Sequence, residues 1–212
     1  FDNVRPSGTI KLKNDITLDK KYTISTDCVI DLNGYTLSSG TLDSVFTALK
    51  SNIKVTFKNG KIQANGKNGT LGSFVYVSSN WDAHYITFED VEVSSTAKTI
   101  NSFLSASWAT SNYTLKNCSF DFTNSSNDGS TNLYVINVGR ECCVTTMVGP
   151  ISVNDTDFSN GGVTVLLVAE IILKELKVIK VHSKTKIVKK LGKALFVKGN
   201  KSCNGCNGFG NC

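Results

Sequence analysis

The chain has 212 residues, of which 40% are hydrophobic, and a net charge of +6. That is enough apolar material for one substantial core. It excludes a membrane-spanning helix, which needs ~20 apolar residues in a row; the longest candidate run, Val163 to Leu173, is short and carries Glu170.

In chain order, one six-residue pattern recurs: apolar, polar, Asn/Asp-like, variable, polar, apolar. It reads Leu32-Asn33-Gly34-Tyr35-Thr36-Leu37, then Phe57-Lys58-Asn59-Gly60-Lys61-Ile62, then Phe88-Glu89-Asp90-Val91-Glu92-Val93. Leu115-Lys116-Asn117-Cys118-Ser119-Phe120 and Val153-Asn154-Asp155-Thr156-Asp157-Phe158 follow, with Leu173-Lys174-Glu175-Leu176-Lys177-Val178 as a weaker sixth. The starts are 25, 31, 27, 38 and 20 residues apart. Such spacing predicts a solenoid whose strands are constant and whose loops vary. Two short strands meet at a corner near the third position, with the first and sixth residues inward and the second and fifth outward.

Stacking the turns predicts an inward ladder of Leu32, Phe57, Phe88, Leu115 and Val153. The corner column then runs through Gly34, Asn59, Asp90, Asn117 and Asp155. The outward columns alternate in sign, Lys58 with Glu89 and Lys116, and Lys61 with Glu92. A second element keeps step upstream: Val45-Phe46, Tyr76-Val77, Phe103-Leu104 and Tyr134-Val135, with Leu195-Phe196-Val197 starting a last turn.

The stretch Ile10 to Leu37, with Val29-Ile30-Asp31-Leu32-Asn33-Gly34-Tyr35-Thr36-Leu37, resembles the opening coils of the pectin-lyase-like β-helices. The likeness spans roughly residues 8 to 180. It implies an all-β, right-handed parallel β-helix (solenoid) of about six to seven coils over residues 1–200, with a short cysteine-rich tail over 201–212. That superfamily includes lyases, hydrolases, adhesins and noncatalytic surface proteins, so fold alone does not decide function.

The tail, Cys203-Asn204-Gly205-Cys206-Asn207-Gly208-Phe209-Gly210-Asn211-Cys212, resembles the first part of an EGF-like module, with a shorter first gap and without the later cysteines. Cys203 and Cys206 also have half a zinc site's spacing, but no second Cys/His pair matches it, so no metal and no cofactor is expected. Seven cysteines and a start at Phe1 suit a secreted protein whose leader has been removed. Cys28, Cys142, Cys143, Cys203, Cys206 and Cys212 are disulfide candidates; Cys118 is read either as one more or as an inward free thiol. An odd count leaves one cysteine free, paired between chains, or paired beyond Cys212. Sequons stand at Asn68, Asn112, Asn117, Asn124, Asn154 and Asn200, close to the number that composition alone produces.

The chemistry is sparse. Enzymes of this fold gather carboxylates in one groove, and the candidates are Asp90, Asp155 and Asp157; the competing reading is a structural Asn/Asp ladder. Trp81 and Trp108 each stand seven residues before a pattern start, either as a shelf for sugar rings or as packing. Residues 163–201 hold ten lysines and two glutamates. Lys174, Lys177, Lys180, Lys184, Lys186, Lys189, Lys190 and Lys193 form this basic patch, read as strands, either a solvated edge or a surface for acidic glycans. Nucleic acid is not expected. The sequence therefore predicts a secreted or cell-surface structural or adhesive protein that self-associates or binds other extracellular glycoproteins. A carbohydrate-active enzyme and a glycan-binding adhesin are the alternatives.

Overall fold

The structure is a computed structural model that describes residues 8–42, 44–48, 52–66, 70–77, 84–97, 99–106, 111–123, 134–138, 143–154, 157–160, 163–168, 186–191 and 194–198. All regular elements among them are strands. The first turn holds β1 (Gly8–Lys11), β2 (Ile16–Thr17) and β3 (Tyr22–Ile24), and the second β4 (Cys28–Asp31), β5 (Thr36–Ser38) and β6 (Ser44–Ala48). Longer strands follow in pairs: β7 (Lys54–Gln63) and β8 (Thr70–Val77), β9 (His84–Ser94) and β10 (Thr99–Ala106), β11 (Ser111–Asp121) and β12 (Tyr134–Val138), β13 (Cys143–Asn154) and β14 (Asp157–Asn160). The series closes with β15 (Val163–Val168), β16 (Lys186–Leu191) and β17 (Ala194–Lys198).

From β7 to β15 the chain alternates between two sheets. One runs β1-β4-β7-β9-β11-β13-β15-β16-β17, with β2 and β5 alongside, and the other β3-β6-β8-β10-β12-β14. Every pairing is parallel except β16 with β17. The protein is thus all-β and parallel-stranded, an arrangement consistent with a β-solenoid.

The six-residue pattern works as a hinge between two short strands. In β9, His84, Ile86 and Phe88 are buried by alternation, and so are Val91 and Val93. The phase slips between Phe88 and Val91 because Asp90 takes φ 54°. Asn59 (φ 59°) and Asn117 (φ 50°) turn β7 and β11 in the same way. Asn and Asp tolerate this left-handed region better than other side chains do, which is the physical content of the third position.

The interior is a stack of rings. Phe57 lies on Phe88, centroids 5.0 Å apart and planes 5° from parallel, and Phe74 lies on Phe103 at 5.2 Å and 13°. Phe46 meets both Phe57 and Phe74, Phe88 meets Phe103, and Phe103 meets Phe120. Phe57, Phe88 and Leu115 are fully buried partners in register, as the inward ladder requires.

The register corrects several expected positions. Ile30, not Leu32, pairs with Phe57. The first corner holds two extra residues, so Leu32-Asn33-Gly34-Tyr35 closes as a turn with Tyr35 N–H donating to Leu32 O at 2.9 Å. Both central residues have positive φ, 53° and 84°, as a type I′ turn demands. Leu32 is still buried, because the turn folds it over Gly60, where an added Cβ would fall 2.6 Å from Leu32 Cβ. Farther along, Met147 pairs with Leu115, and Val153 pairs with Phe120. Val153 therefore belongs to the sixth-position ladder, with Ile62 and Val93. In the second sheet Phe74-Val75 and Val135-Ile136 are the equivalents of Val45-Phe46, two residues before the expected Tyr76-Val77 and one residue after the expected Tyr134-Val135. Leu195, Phe196 and Val197 do not begin a new parallel turn, since β17 folds back antiparallel on β16.

Candidate functional site

The corner column is the first place to look for chemistry, because it carries the acidic candidates. Asn117 Nδ2 donates to Asp90 Oδ1 at 2.9 Å, and Asn59 Nδ2 donates to Asp31 Oδ1 at 3.1 Å. Asp31 Oδ1 also accepts the Asn33 N–H at 3.0 Å, and Asn33 Nδ2 donates to Leu12 O at 3.1 Å. The stack is thus tied in segments, with Asp31 serving Asn59 from the turn before it. Above Asn117 the column continues with Gly149 (φ 71°), where an added Cβ would lie 2.0 Å from Asn117 Oδ1.

That register separates Asp90 from Asp157. Asp155 lies outside the described residues; the corner above Asn117 is held by Gly149, and Asn154 pairs with Asp121. Asp157 opens β14 in the second sheet, opposite Tyr134. Asp90 therefore shares its corner with Asn117 and Gly149, not with Asp157.

Polar ladders extend beyond the corner. Asp15 Oδ1 accepts Thr36 N–H at 2.8 Å, and Asp27 Oδ1 accepts Lys54 N–H at 2.8 Å. Ser39 Oγ accepts the N–H groups of Asn65 and Gly66, Asn65 Oδ1 accepts Thr96 N–H, and Ser95 Oγ donates to Ala64 O. The sequence pattern missed this second bend: Ser39 and Ser95 stand two residues after their sixth positions, but Ala64 and Phe122 hold that place in the other turns. Asp121 takes both the N–H and the hydroxyl of Thr123, which hold its carboxyl below the usual range.

The outward charges pair as the alternating column predicts. Lys116 Nζ bonds Glu89, whose carboxylate raises the lysine pKa, and Lys61 Nζ lies 3.4 Å from Glu92. Each carboxylate with a described side chain thus holds a hydrogen bond or ion pair: Asp15, Asp27, Asp31, Glu89, Asp90 and Glu92 to a neighbouring turn, Asp19 and Asp121 to Tyr22 and Thr123 close by in sequence.

Cys28, expected in a disulfide, is a free and buried thiol, and Cys118 is the inward free thiol of the second reading. Alternation in β4 turns Cys28 into the core opposite Val55. Cys118 Sγ donates to the carbonyls of Phe88 and Lys116 at 3.4 and 3.3 Å. Burial pushes both thiols up to about 11. Cys143 opens β13, whose backbone pairs with Ser111 and Val163.

Among the sequon residues, Asn112 lies on the outward side of β11, Asn117 in the corner, and Asn154 exposed at the end of β13. Lys186, Lys189 and Lys190 lie on β16, a strand as expected for that segment. Trp81, Trp108, Lys174, Lys177, Lys180, Lys184, Lys193, Cys142, Cys203, Cys206, Cys212, Asn68, Asn124 and Asn200 lie outside the described residues. Among the described residues no group of His, Cys, Asp and Glu could hold a metal ion, and no helix is long and apolar enough to cross a membrane.

No protein-family model, curated protein or solved structure matches this chain.

Proposed function

We propose that this chain is a noncatalytic extracellular structural or adhesive protein, a right-handed parallel β-helix that serves as a subunit of a filament or surface assembly. The observation that carries this reading is the use of the carboxylates. Acid–base catalysis on a sugar needs two carboxyl groups free to exchange protons across one groove. Here six of the eight described carboxylates, Asp15, Asp27, Asp31, Glu89, Asp90 and Glu92, tie one turn to the next, and Asp90, the acidic candidate with a described side chain, is spent on the stack. Such ladders serve an axial scaffold whose job is to stay straight and regular.

In this reading the lysine-rich segment meets acidic glycans or acidic neighbouring glycoproteins, and the cysteines outside the described residues link chains. Light scattering across a concentration series, with and without reductant, tests it. Multimers that grow with concentration and lose order on reduction support it. A protein that stays monomeric at high concentration and ignores reductant overturns it. Turnover of any member of an acidic and neutral glycan panel, lost in Asp155→Asn or Asp157→Asn, would put a carbohydrate-active enzyme in its place.

A further inference from the structure

The outward face of the first sheet holds a small group that the ladders leave unused. Asn112, Tyr113 and Thr114 form one of the sequons. In β11 the alternation buries Tyr113 and puts Asn112 and Thr114 together on the outer side. Directly beside Asn112, as its register partner on β9, stands Tyr85. Tyr85 is 40% exposed, one of two large hydrophobic side chains so exposed among the described residues. Thr56, Thr87, Thr114 and Thr146 run as an unbroken register column next to this pair. Asn117, in contrast, already donates its amide to Asp90.

We propose that Asn112 carries an N-linked glycan whose first N-acetylglucosamine packs on the ring of Tyr85. Neighbouring strands are ~4.8 Å apart, about the width of a pyranose. A sugar rising from Asn112 therefore covers the next strand. Its apolar C–H face meets the tyrosine ring, and its hydroxyl rim meets Thr87 and Thr114. In the transfer, Asn112 Nδ2 attacks C1 of the sugar on a lipid-pyrophosphate donor. The C1–N bond forms, the C1–O bond to phosphate breaks, the lipid pyrophosphate leaves, and Nδ2 gives up one proton and keeps one.

The inference rests on the extracellular reading above, and the test separates the two. The full chain is secreted from eukaryotic cells, its glycans are trimmed to single N-acetylglucosamines, and the peptide bearing Asn112 is analysed by mass spectrometry. Thermal unfolding is then compared with Asn112→Gln, in the wild-type and Tyr85→Ser backgrounds. The expected result is an occupied Asn112 that raises the midpoint by roughly 2–4 °C, a gain lost when Tyr85 is serine. Glycans at other sequons but none at Asn112 overturn this inference alone. An occupied Asn112 whose effect ignores Tyr85→Ser overturns the packing. A secreted chain with no glycan at any sequon removes both this inference and the glycoprotein part of the reading it rests on.

Discussion

Asn117 reaches across one strand spacing to donate its side-chain amide to Asp90, 2.9 Å away, and both residues hold left-handed backbone at the same corner of adjacent turns. The contact joins two requirements at one position: a residue that tolerates positive φ, and a side chain that can bond to its equivalent in the next turn. Asn and Asp meet both, whereas Gly meets only the first.

Asp90→Ala removes the acceptor and places a Cβ-bearing residue without local polar compensation at φ 54°. The left-handed conformation costs about 1–2 kcal/mol and the lost hydrogen bond about 1 kcal/mol. Urea unfolding should show a loss of about 2–3 kcal/mol. Asp90→Asn keeps both the acceptor and the backbone tolerance and should stay within about 0.5 kcal/mol of wild type. Equal effects of the two substitutions would show that the corner ladder is not what Asp90 provides.

Phe88→Ala should cost about 3–5 kcal/mol, because the ring stacks on Phe57 and meets Phe103 within a sealed interior. Phe88→Leu fills most of the space and should cost clearly less. Circular dichroism during urea titration distinguishes them. A loss under about 1 kcal/mol for the alanine variant would mean that the aromatic stack is not a core.

Gly149 and Asn117 should be coupled. An alanine at Gly149 has both a positive φ and a Cβ 2.0 Å from Asn117 Oδ1, so Asn117 must swing away and lose Asp90. Once Asn117→Gly has cleared the side chain, Gly149→Ala should cost at least about 1 kcal/mol less than it does alone. A four-protein denaturation cycle measures this. Additive losses would contradict the contact.

The thiols of Cys28 and Cys118 should resist iodoacetamide at neutral pH and react fully in urea, read by mass spectrometry of the two peptides. Burial holds both near 11, above the ordinary thiol value of 9.0, so the native chain keeps the protons that the unfolded chain gives up. The unfolded state then binds fewer protons between pH 9 and 11, and the stability that these thiols contribute below pH 9 is lost as pH rises through that window. Rapid native labelling of either cysteine, or unchanged stability across that window, would show that they are not sealed in the core.

Much of this architecture is legible in the chain itself. The spacing of Phe57, Phe88 and Leu115 places them in one inward ladder, and Lys58, Glu89 and Lys116 in one outward column, because strand alternation and a fixed corner leave few other arrangements. The left-handed corner is likewise written in the third position at Asn59, Asp90 and Asn117.

What the chain alone left open was register wherever a corner changed length. Leu32 imitates Phe57 in sequence, yet Ile30 takes the paired position because the type I′ turn absorbs two residues. Val153 imitates Leu115, yet Met147 pairs with Leu115 and Val153 with Phe120; the further residue taken up around Gly149 and Pro150 breaks the six-residue spacing in that turn and hides it. A hydrophobic pattern specifies which face of a strand is buried, but sliding a strand by two residues preserves that face. Only the packed neighbours, through the room beside Gly60 and Gly149, select among such slides. The same selection placed Gly149 in the corner above Asn117.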